Sequence, residues 1–265
     1  MMLRNLRQLV RYRGLIQSLV ARELKARYRG SVLGFLWSFI NPLLLLLIYT
    51  LVFAVVLPGT HSKETEPFAL FMFCGILPWT WLASSLLESS NALLAGGNLI
   101  KKVLFPAEIL PLVSVLANMV HFFLGLPILV GFLIYYRRAP DALDLVWFPV
   151  AVLVQLVFTT GLALILSALT VHFRDIRDLL SNLLTLWFFS TPIIYSIQEA
   201  PGLGKRVLNF NPMTHLIVSY QEILFFSGPI GHWKWLLSLG GASIALFLAG
   251  FWLFDRLRDS FAEAV

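Results

Sequence analysis

Long apolar stretches that are almost free of charge constrain this chain more than any other feature. Six of them are long enough to cross a bilayer, which takes about 20 mostly apolar residues. They lie at residues 33–57, 68–88, 109–136, 146–171, 179–197 and 234–254. In hydrocarbon the backbone must satisfy its own hydrogen bonds, and these stretches lack the alternation of a membrane β-barrel. The sequence therefore predicts an all-α integral membrane protein, with six transmembrane helices in one domain spanning residues 1–265.

Composition excludes a soluble protein. The 265 residues are 58% hydrophobic and only 13% charged, whereas soluble domains carry about 25% charged residues. The formal charge of +6 could suggest nucleic-acid binding, but the sequence has no basic soluble domain that would present this charge. Anionic lipid headgroups are therefore its expected partner, and no nucleic acid is expected. The single cysteine, Cys74, excludes an internal disulfide and a thiolate metal cluster.

The distribution of basic residues predicts the orientation. Six spans place both termini on the same side. With that side in the cytoplasm, the inner segments hold Arg4, Arg7, Arg11, Arg13, Arg22, Lys25, Arg27, Arg29, Lys101, Lys102, Arg174, Arg177, Arg256 and Arg258. The outer segments hold Lys63, Arg137, Arg138, Lys205, Arg206 and Lys234. Because basic residues concentrate in cytoplasmic loops, both termini are predicted to be cytoplasmic.

The residues before the first span follow a helical period. One face of that helix carries Arg4, Arg7, Arg11, Ser18, Arg22 and Lys25, and another carries Leu9, Tyr12, Ile16 and Leu19. A basic face opposite an apolar, aromatic face is typical of a helix that lies in the headgroup plane. The sequence thus predicts an amphipathic interface helix, the alternative being a simple topology signal.

Residues 198–233, between the fifth and sixth spans, form the longest outer segment. Two turn signals, Pro201-Gly202 and Gly228-Pro229, enclose the stretch "NPMTHLIVSYQEILFF", which is too apolar for a free loop. This segment either lies on the membrane or re-enters it as a short hairpin. Irregular backbone at membrane depth is tolerated only where protein or water surrounds it.

Motifs for catalysis are missing from the sequence. It has no phosphate-binding loop G-x-x-x-x-G-K-[ST], no H-E-x-x-H zinc motif and no G-x-S-x-G nucleophile turn. Asp175 and Asp178 could hold Mg²⁺ as in membrane prenyl transferases, but Arg174 and Arg177 beside them favour an ion-paired helix start. No catalytic residue or metal ligand is therefore predicted. Only His121 and Glu88 are candidates for ionisable groups inside the spans, too few for a proton-driven pump.

Five stretches carry a resemblance to a known family. They are "ARELKARYRGSVLGFLWSFINPLL" from residue 21, "NLIKKVLFPAEILPL" at 98–112, "FRDIRDLL" at 173–180, "STPIIYS" at 190–196 and "NFNPMTHLIVSYQEILF" at 209–225. In this order they resemble the membrane subunits of type-2 ATP-binding-cassette exporters of O-antigen, capsule and teichoic acid. The resemblance implies a homodimer in the bacterial cytoplasmic membrane. It also implies two separate ATPase subunits that bind ATP and Mg, so that this chain binds no cofactor.

The resemblance also assigns roles to segments. Residues 1–32 would form the interface helix and a basic entrance, where Arg22, Lys25, Arg27 and Arg29 meet the diphosphate of a lipid-linked glycan. Residues 89–108 would contact the ATPase through Asn91, Asn98, Lys101, Lys102, Phe105, Pro106 and Glu108, and Arg174 and Asp175 would form a second contact. Residues 198–233 would form an outer gate that includes Asn211, Pro212, His215 and Tyr220.

Aromatic and polar side chains suggest a channel lining, because aromatic rings bind the apolar faces of sugars. In the first span Trp37, Asn41, Tyr49 and Phe53 are separated by multiples of four, and in the fifth Trp187, Thr191 and Tyr195 repeat this spacing. Packing between helices or an interfacial belt is the alternative. Pro42 predicts a bend after Asn41, which either shapes the path or is a passive kink.

Two other functions share these features. One is an exporter of the same architecture for a small molecule or a simple lipid, favoured by a narrow channel. The other is a membrane prenyl or glycosyl transferase that uses Asp175 and Asp178, favoured by Mg²⁺-dependent turnover by the chain alone. The exporter of lipid-linked polysaccharide remains the first expectation, since a glycan cannot leave its hydroxyl groups unpaired in hydrocarbon.

Overall fold

The computed structural model describes residues 11–56, 63–97, 105–198, 201–226 and 228–264, and within these ranges the regular structure is helical. The α-helices are α1 (Arg13–Arg27), α2 (Trp37–Thr50), α3 (Phe68–Ala95), α4 (Ile109–Tyr135), α5 (Ala142–Leu145), α6 (Trp147–His172), α7 (Ile176–Phe189), α8 (Gly202–Phe210), α9 (Pro212–Leu224) and α10 (Trp233–Ala264). The all-α class predicted from the sequence thus holds for the described residues.

Within the described part of the chain, four helical segments are long and apolar enough to cross a membrane. They are Phe68–Ala95, Ile109–Tyr135, Ala142–His172 and Trp233–Arg258. They coincide with the second, third, fourth and sixth predicted spans. Together they make the chain a multi-pass membrane protein, whereas the number six stays a prediction.

Neither the first nor the fifth predicted span is one continuous helix. The first consists of a 3₁₀ turn (Gly34–Leu36), α2 and a π-helical segment (Leu51–Val56). In the fifth, α7 ends at Phe189, although the sequence predicted a span over 179–197. Pro192 explains the early end, because proline lacks an N–H group and disfavours a helical conformation in the residue before it.

α3 lies at the centre of the bundle. Its side chains Phe71, Leu82 and Trp81 are almost completely buried, and α4, α6, α7 and α9 pack around it. The indole Nε1 of Trp81 donates to the backbone oxygen of Val115 on α4 at 3.1 Å. Gln155 of α6 donates to the backbone oxygen of Pro78 at 2.7 Å. Polar bonds therefore fix α4 and α6 against α3 within the apolar core.

α6 and α10 approach each other at two glycines. A Cβ atom on Gly161 would lie 2.9 Å from the backbone nitrogen of Phe247, and one on Gly250 would lie 2.6 Å from the backbone oxygen of Gly161. Small residues at helix contacts allow such backbone proximity in membrane proteins. The position of α10 therefore depends on the absence of side chains at these two sites.

Candidate functional site

α1 is amphipathic, and its apolar side packs on protein. Leu19 is buried against Ile109 and Val113 at the start of α4, with Tyr12 and Ile16 beside it. The opposite side exposes Ser18, Arg22 and Lys25, and Arg29 is exposed in the turn that follows. The predicted basic entrance thus has three exposed cations, of which Arg22 lines a cavity together with the end of α3 and the start of α4.

Arg27, the last residue of α1, lies in an ion-paired cluster. Its Nη1 donates to Oδ1 of Asn118 on α4 at 3.0 Å, and its Nη2 donates to Oε2 of Glu88 on α3. The Nδ2 atom of Asn118 donates to the same Glu88 oxygen at 2.7 Å. Sequence reasoning missed this cluster. The available signal was the acid at the end of an otherwise uncharged predicted span, because such groups are rare there without a partner.

Tyr28 connects the turn after α1 to two other helices. Its hydroxyl lies 2.5 Å from the hydroxyl of Ser38 on α2 and 3.3 Å from Nδ1 of His121 on α4. The turn continues through Gly30 and Gly34, whose φ angles are +80° and +48°. Glycine adopts these angles without the steric penalty that other residues meet. Arg27 and Tyr28 thus both contact α4, while Arg27 also contacts α3 and Tyr28 also contacts α2.

Two cavities lie on either side of this cluster. The first, of about 830 Å³, is enclosed by α2, α3 and α4 and is lined by Arg27, Tyr28, Asn118 and His121 at its polar end and by leucines at its apolar end. The second, of about 610 Å³, is lined by Glu88. Its charged wall is completed by Arg22, Glu23, Arg177 and Asp178. The ion pair thus forms part of the wall between the two spaces.

The side chains predicted to line a channel from α2 do not share one surface in this subunit. Trp37 and Asn41 border the first cavity. Tyr49 is half-buried and stacks on Phe188 of α7, with ring centroids 5.5 Å apart. The side chain of Phe53 lies outside the described residues. A four-residue step overshoots a helical turn by about 40°, so the stripe drifts from one neighbouring helix to another.

The predicted lining residues of the fifth span form bonds at the end of α7. Trp187 donates through Nε1 to Oδ1 of Asn211 at 2.8 Å. Asn211 donates in turn to the hydroxyl of Thr191 at 3.0 Å, and Thr191 is fully buried. The hydroxyl of Tyr195 donates to the backbone oxygen of Phe189 at 3.2 Å. Within one subunit these groups therefore connect α7 to the outer segment, and Thr191 faces no open space.

The outer segment begins with α8 and α9. Asn211 caps α9 by accepting from the backbone N–H of Met213 at 3.0 Å, and Pro212 occupies the first helical position. His215 is buried and stacks on Trp235 of α10 with ring centroids 4.4 Å apart. Tyr220 is fully buried. The predicted gate residues Asn211, His215 and Tyr220 therefore pack against other parts of the same subunit.

An ion pair that the sequence did not suggest ties α9 to the start of α10. Oε1 of Glu222 lies 2.6 Å from Nδ1 of His232, and its Oε2 accepts from the backbone N–H groups of Gly231 and His232 at 2.8 and 2.9 Å. Burial raises the pKa of the Glu222 carboxyl, but these hydrogen bonds and the nearby His232 outweigh it and lower the pKa below its ordinary value.

The residues predicted to contact an ATPase fall into four groups. Asn98, Lys101 and Lys102 lie outside the described residues. Arg174 and Asp175 are exposed in the turn before α7, and Asn91 and Phe105 are half-buried. Pro106 and Glu108 are buried, so they are not free for a partner surface in this conformation. The carboxylate of Glu108 instead lies 3.8 Å from Nη1 of Arg258 near the end of α10.

The comparisons with known proteins agree with this architecture. Residues 14–225 match the family described as ABC-2 type transporter. The O-antigen export system permease protein RfbA of Myxococcus xanthus is 43% identical over 266 residues, which is the whole of both chains. A Klebsiella pneumoniae protein of the same name is 33% identical over 242 residues, 91% of each chain.

A more distant relative extends the comparison. The polysialic acid transport protein KpsM of Escherichia coli is 22% identical over 212 residues, covering 78% of this chain and 80% of its own. The relatives are named as permeases or transport proteins, so their shared role is transport and not catalysis. The chain therefore belongs to the ABC-2 type transporter family, as a membrane subunit of the polysaccharide-export type.

Proposed function

We propose that this chain is the channel-forming subunit that exports a lipid-linked polysaccharide across the bacterial cytoplasmic membrane. The observation that carries this proposal is the 43% identity over the full length of a named O-antigen export permease. Two copies of the chain assemble with two copies of an ATPase that binds ATP and Mg. Both termini lie in the cytoplasm, where basic residues are most frequent.

The exposed cations near α1 form the entrance for the carrier lipid. Arg22, Lys25 and Arg29 are exposed, whereas Arg27 is already paired with Glu88. Guanidinium groups bind phosphate oxygens at two points, which suits a diphosphate at the headgroup level. In this proposal Arg22, Lys25 and Arg29 bind the diphosphate, and Arg27 does not.

The channel forms between two copies of the chain. α7 exposes Leu179, Leu183 and Leu186, and α2 exposes Leu43 and Leu47, so both helices have faces that this subunit does not cover. A dimer that pairs these helices brings the exposed polar groups of α7, among them Ser181, Asn182 and Thr185, toward the glycan path. The outer segment, residues 198–233, closes this path as a re-entrant gate.

The test is export by the complete complex. The chain is expressed with its ATPase in cells that lack their own exporter, and polymer on the cell surface is measured by antibody binding. Arg22→Ala together with Arg29→Ala is expected to reduce surface polymer while the ATPase still co-purifies with the chain. Normal surface polymer in this variant contradicts the entrance role. Export of a small molecule without any polymer contradicts the proposed substrate.

A further inference from the structure

The Arg27–Glu88–Asn118 cluster joins three separate helices at one point. Each of its side chains contacts the other two, with Arg27 on α1, Glu88 on α3 and Asn118 on α4. Asn118 is itself fixed, because its Nδ2 also donates to the backbone oxygen of Ser114 at 3.0 Å. Hydrogen bonds between ionised groups are stronger than neutral ones. The cluster therefore determines where the end of α1 lies relative to α3 and α4.

Each charge of this cluster is stabilised by the other. The side chains of Arg27 and Glu88 are only 23% and 34% exposed. Glu88 lies seven residues before the end of α3, which corresponds to about 10 Å along the helix. An unpaired charge at such a half-buried position is disfavoured, because it keeps only part of its hydration. The end of α1 must therefore follow α3 when α3 moves.

The link from α1 to α2 is a glycine-containing turn and not an ion-paired cluster. It passes through Gly30 and Gly34, where a Cβ atom would meet nothing within 4 Å, so the chain has open space around both residues. Both have positive φ angles. Beside this turn, the hydroxyls of Tyr28 and Ser38 contact each other at 2.5 Å. The angle of the turn can change, while Tyr28 still connects α2 to the end of α1.

Resting on the proposed function and on the ATPase contact that the resemblance implies for residues 89–108, here called the coupling segment, we infer that Arg27, Glu88 and Asn118 are positioning residues. They pass the motion of the ATPase from α3 to α1 and α2. The last two turns of α3, after Glu88, belong to the coupling segment itself. A displacement there moves Glu88 directly. The cluster then moves α1, and the Tyr28–Ser38 contact moves α2, which borders the first cavity with Asn41.

Charge reversal tests this inference in the complete complex with its ATPase, reconstituted in lipid vesicles. The variants are Arg27→Glu, Glu88→Arg and the double variant that restores an ion pair of opposite polarity. Three quantities are measured: ATPase co-purification, ATP hydrolysis, and polymer translocated per ATP hydrolysed. Each single variant is expected to retain the ATPase and hydrolysis but to lose about tenfold in polymer per ATP, as for the loss of a typical coupling between sites. The double variant is expected to recover most of that loss.

Arg13→Glu is the matched control, because it makes the same charge change on an exposed residue of the same helix. It is expected to keep the wild-type ratio of polymer to ATP. Should the reversals prevent folding, Glu88→Gln keeps the shape of the side chain and removes only its charge, and the same drop is expected.

The experiment separates this inference from the proposed function. A wild-type chain that binds no ATPase, or exports nothing with it, refutes the proposed function. If the wild-type complex couples hydrolysis to export and the single variants keep the wild-type ratio of polymer to ATP, only the inference is overturned. The inference is equally overturned if the double variant stays as poor as the single ones.

Discussion

The contact between α6 and α10 gives a prediction whose sign depends on position within one helix. Gly161→Ala places a methyl carbon 2.9 Å from the backbone nitrogen of Phe247 and 3.0 Å from its Cα. Real Cβ atoms keep at least about 3.4 Å from such backbone atoms in ordinary packing. Both of these atoms belong to the backbone of Phe247, so no side chain can rotate away to relieve the contact. The two helices must therefore separate.

The expected cost is that of overpacking a core, about 1–3 kcal/mol. Gly250→Ala meets the backbone oxygen of Gly161 at 2.6 Å and is expected to cost at least as much. For a chain of this size each kcal/mol lowers the unfolding temperature by about 2–4 °C. A thermal unfolding curve of the purified protein in detergent, followed by tryptophan fluorescence, therefore resolves the change.

Gly241→Ala is the control on α10, since nothing lies within 4 Å of a Cβ atom there. Alanine is the better helix former by about 1 kcal/mol, so this variant is expected to unfold at a slightly higher temperature than the wild type. The reasoning is refuted if Gly161→Ala is as stable as the wild type, or if Gly241→Ala destabilises the protein as much.

Three further predictions concern the outer segment. Because the folded state lowers the pKa of Glu222, the hydrogen bonds that its carboxylate accepts from Gly231 and His232 stabilise the protein above the ordinary carboxyl pKa, and this stabilisation is lost as the pH falls through the lowered value. The stability difference between wild type and Glu222→Gln, measured across pH, should therefore shrink in acid. The hydroxyl of Tyr220 is buried with no hydrogen-bond partner among the residues that the structure describes, so Tyr220→Phe should be neutral or raise the unfolding temperature. Asn211→Ala removes the α9 cap and the bond from Trp187, and it should cost about 1–2 kcal/mol and speed proteolysis of the outer segment.

Hydropathy was sufficient to predict four helices of this fold. The spans within Phe68–Ala95, Ile109–Tyr135, Ala142–His172 and Trp233–Arg258 follow from composition alone, because a helix that crosses lipid must be apolar along its whole length. The end of α7 at Phe189 was not predicted. There the effect of Pro192 on the preceding backbone outweighs an apolar run that continues past it.

The candidate site was harder to predict, because its contacts join residues far apart in the chain. Arg27 is separated from Glu88 by 61 positions and from Asn118 by 91. No local pattern indicates which acid a given arginine meets, so the sequence placed Arg27 with the other basic residues of the entrance. The amphipathic period of α1, a local property, did separate its apolar side from its exposed side, but the sequence placed the apolar side in the headgroup plane and not against α4.

Polar side-chain contacts hold the helices at both ends of this subunit. Between helices in lipid, apolar packing has little hydrophobic driving force, so close backbone contact and hydrogen bonds determine how helices associate. The glycine contact of α6 and α10 is close and lies in the middle of both helices. At one end of the bundle α1 is held by the Arg27–Glu88–Asn118 cluster, and near the other α9 is held through Asn211 and Glu222. These bonds join a few side chains, so a helix end can shift together with the helix to which it is bonded, whereas the close backbone contact of α6 and α10 leaves no such freedom. The two ends are therefore the parts of the subunit able to change position while α6 and α10 stay together.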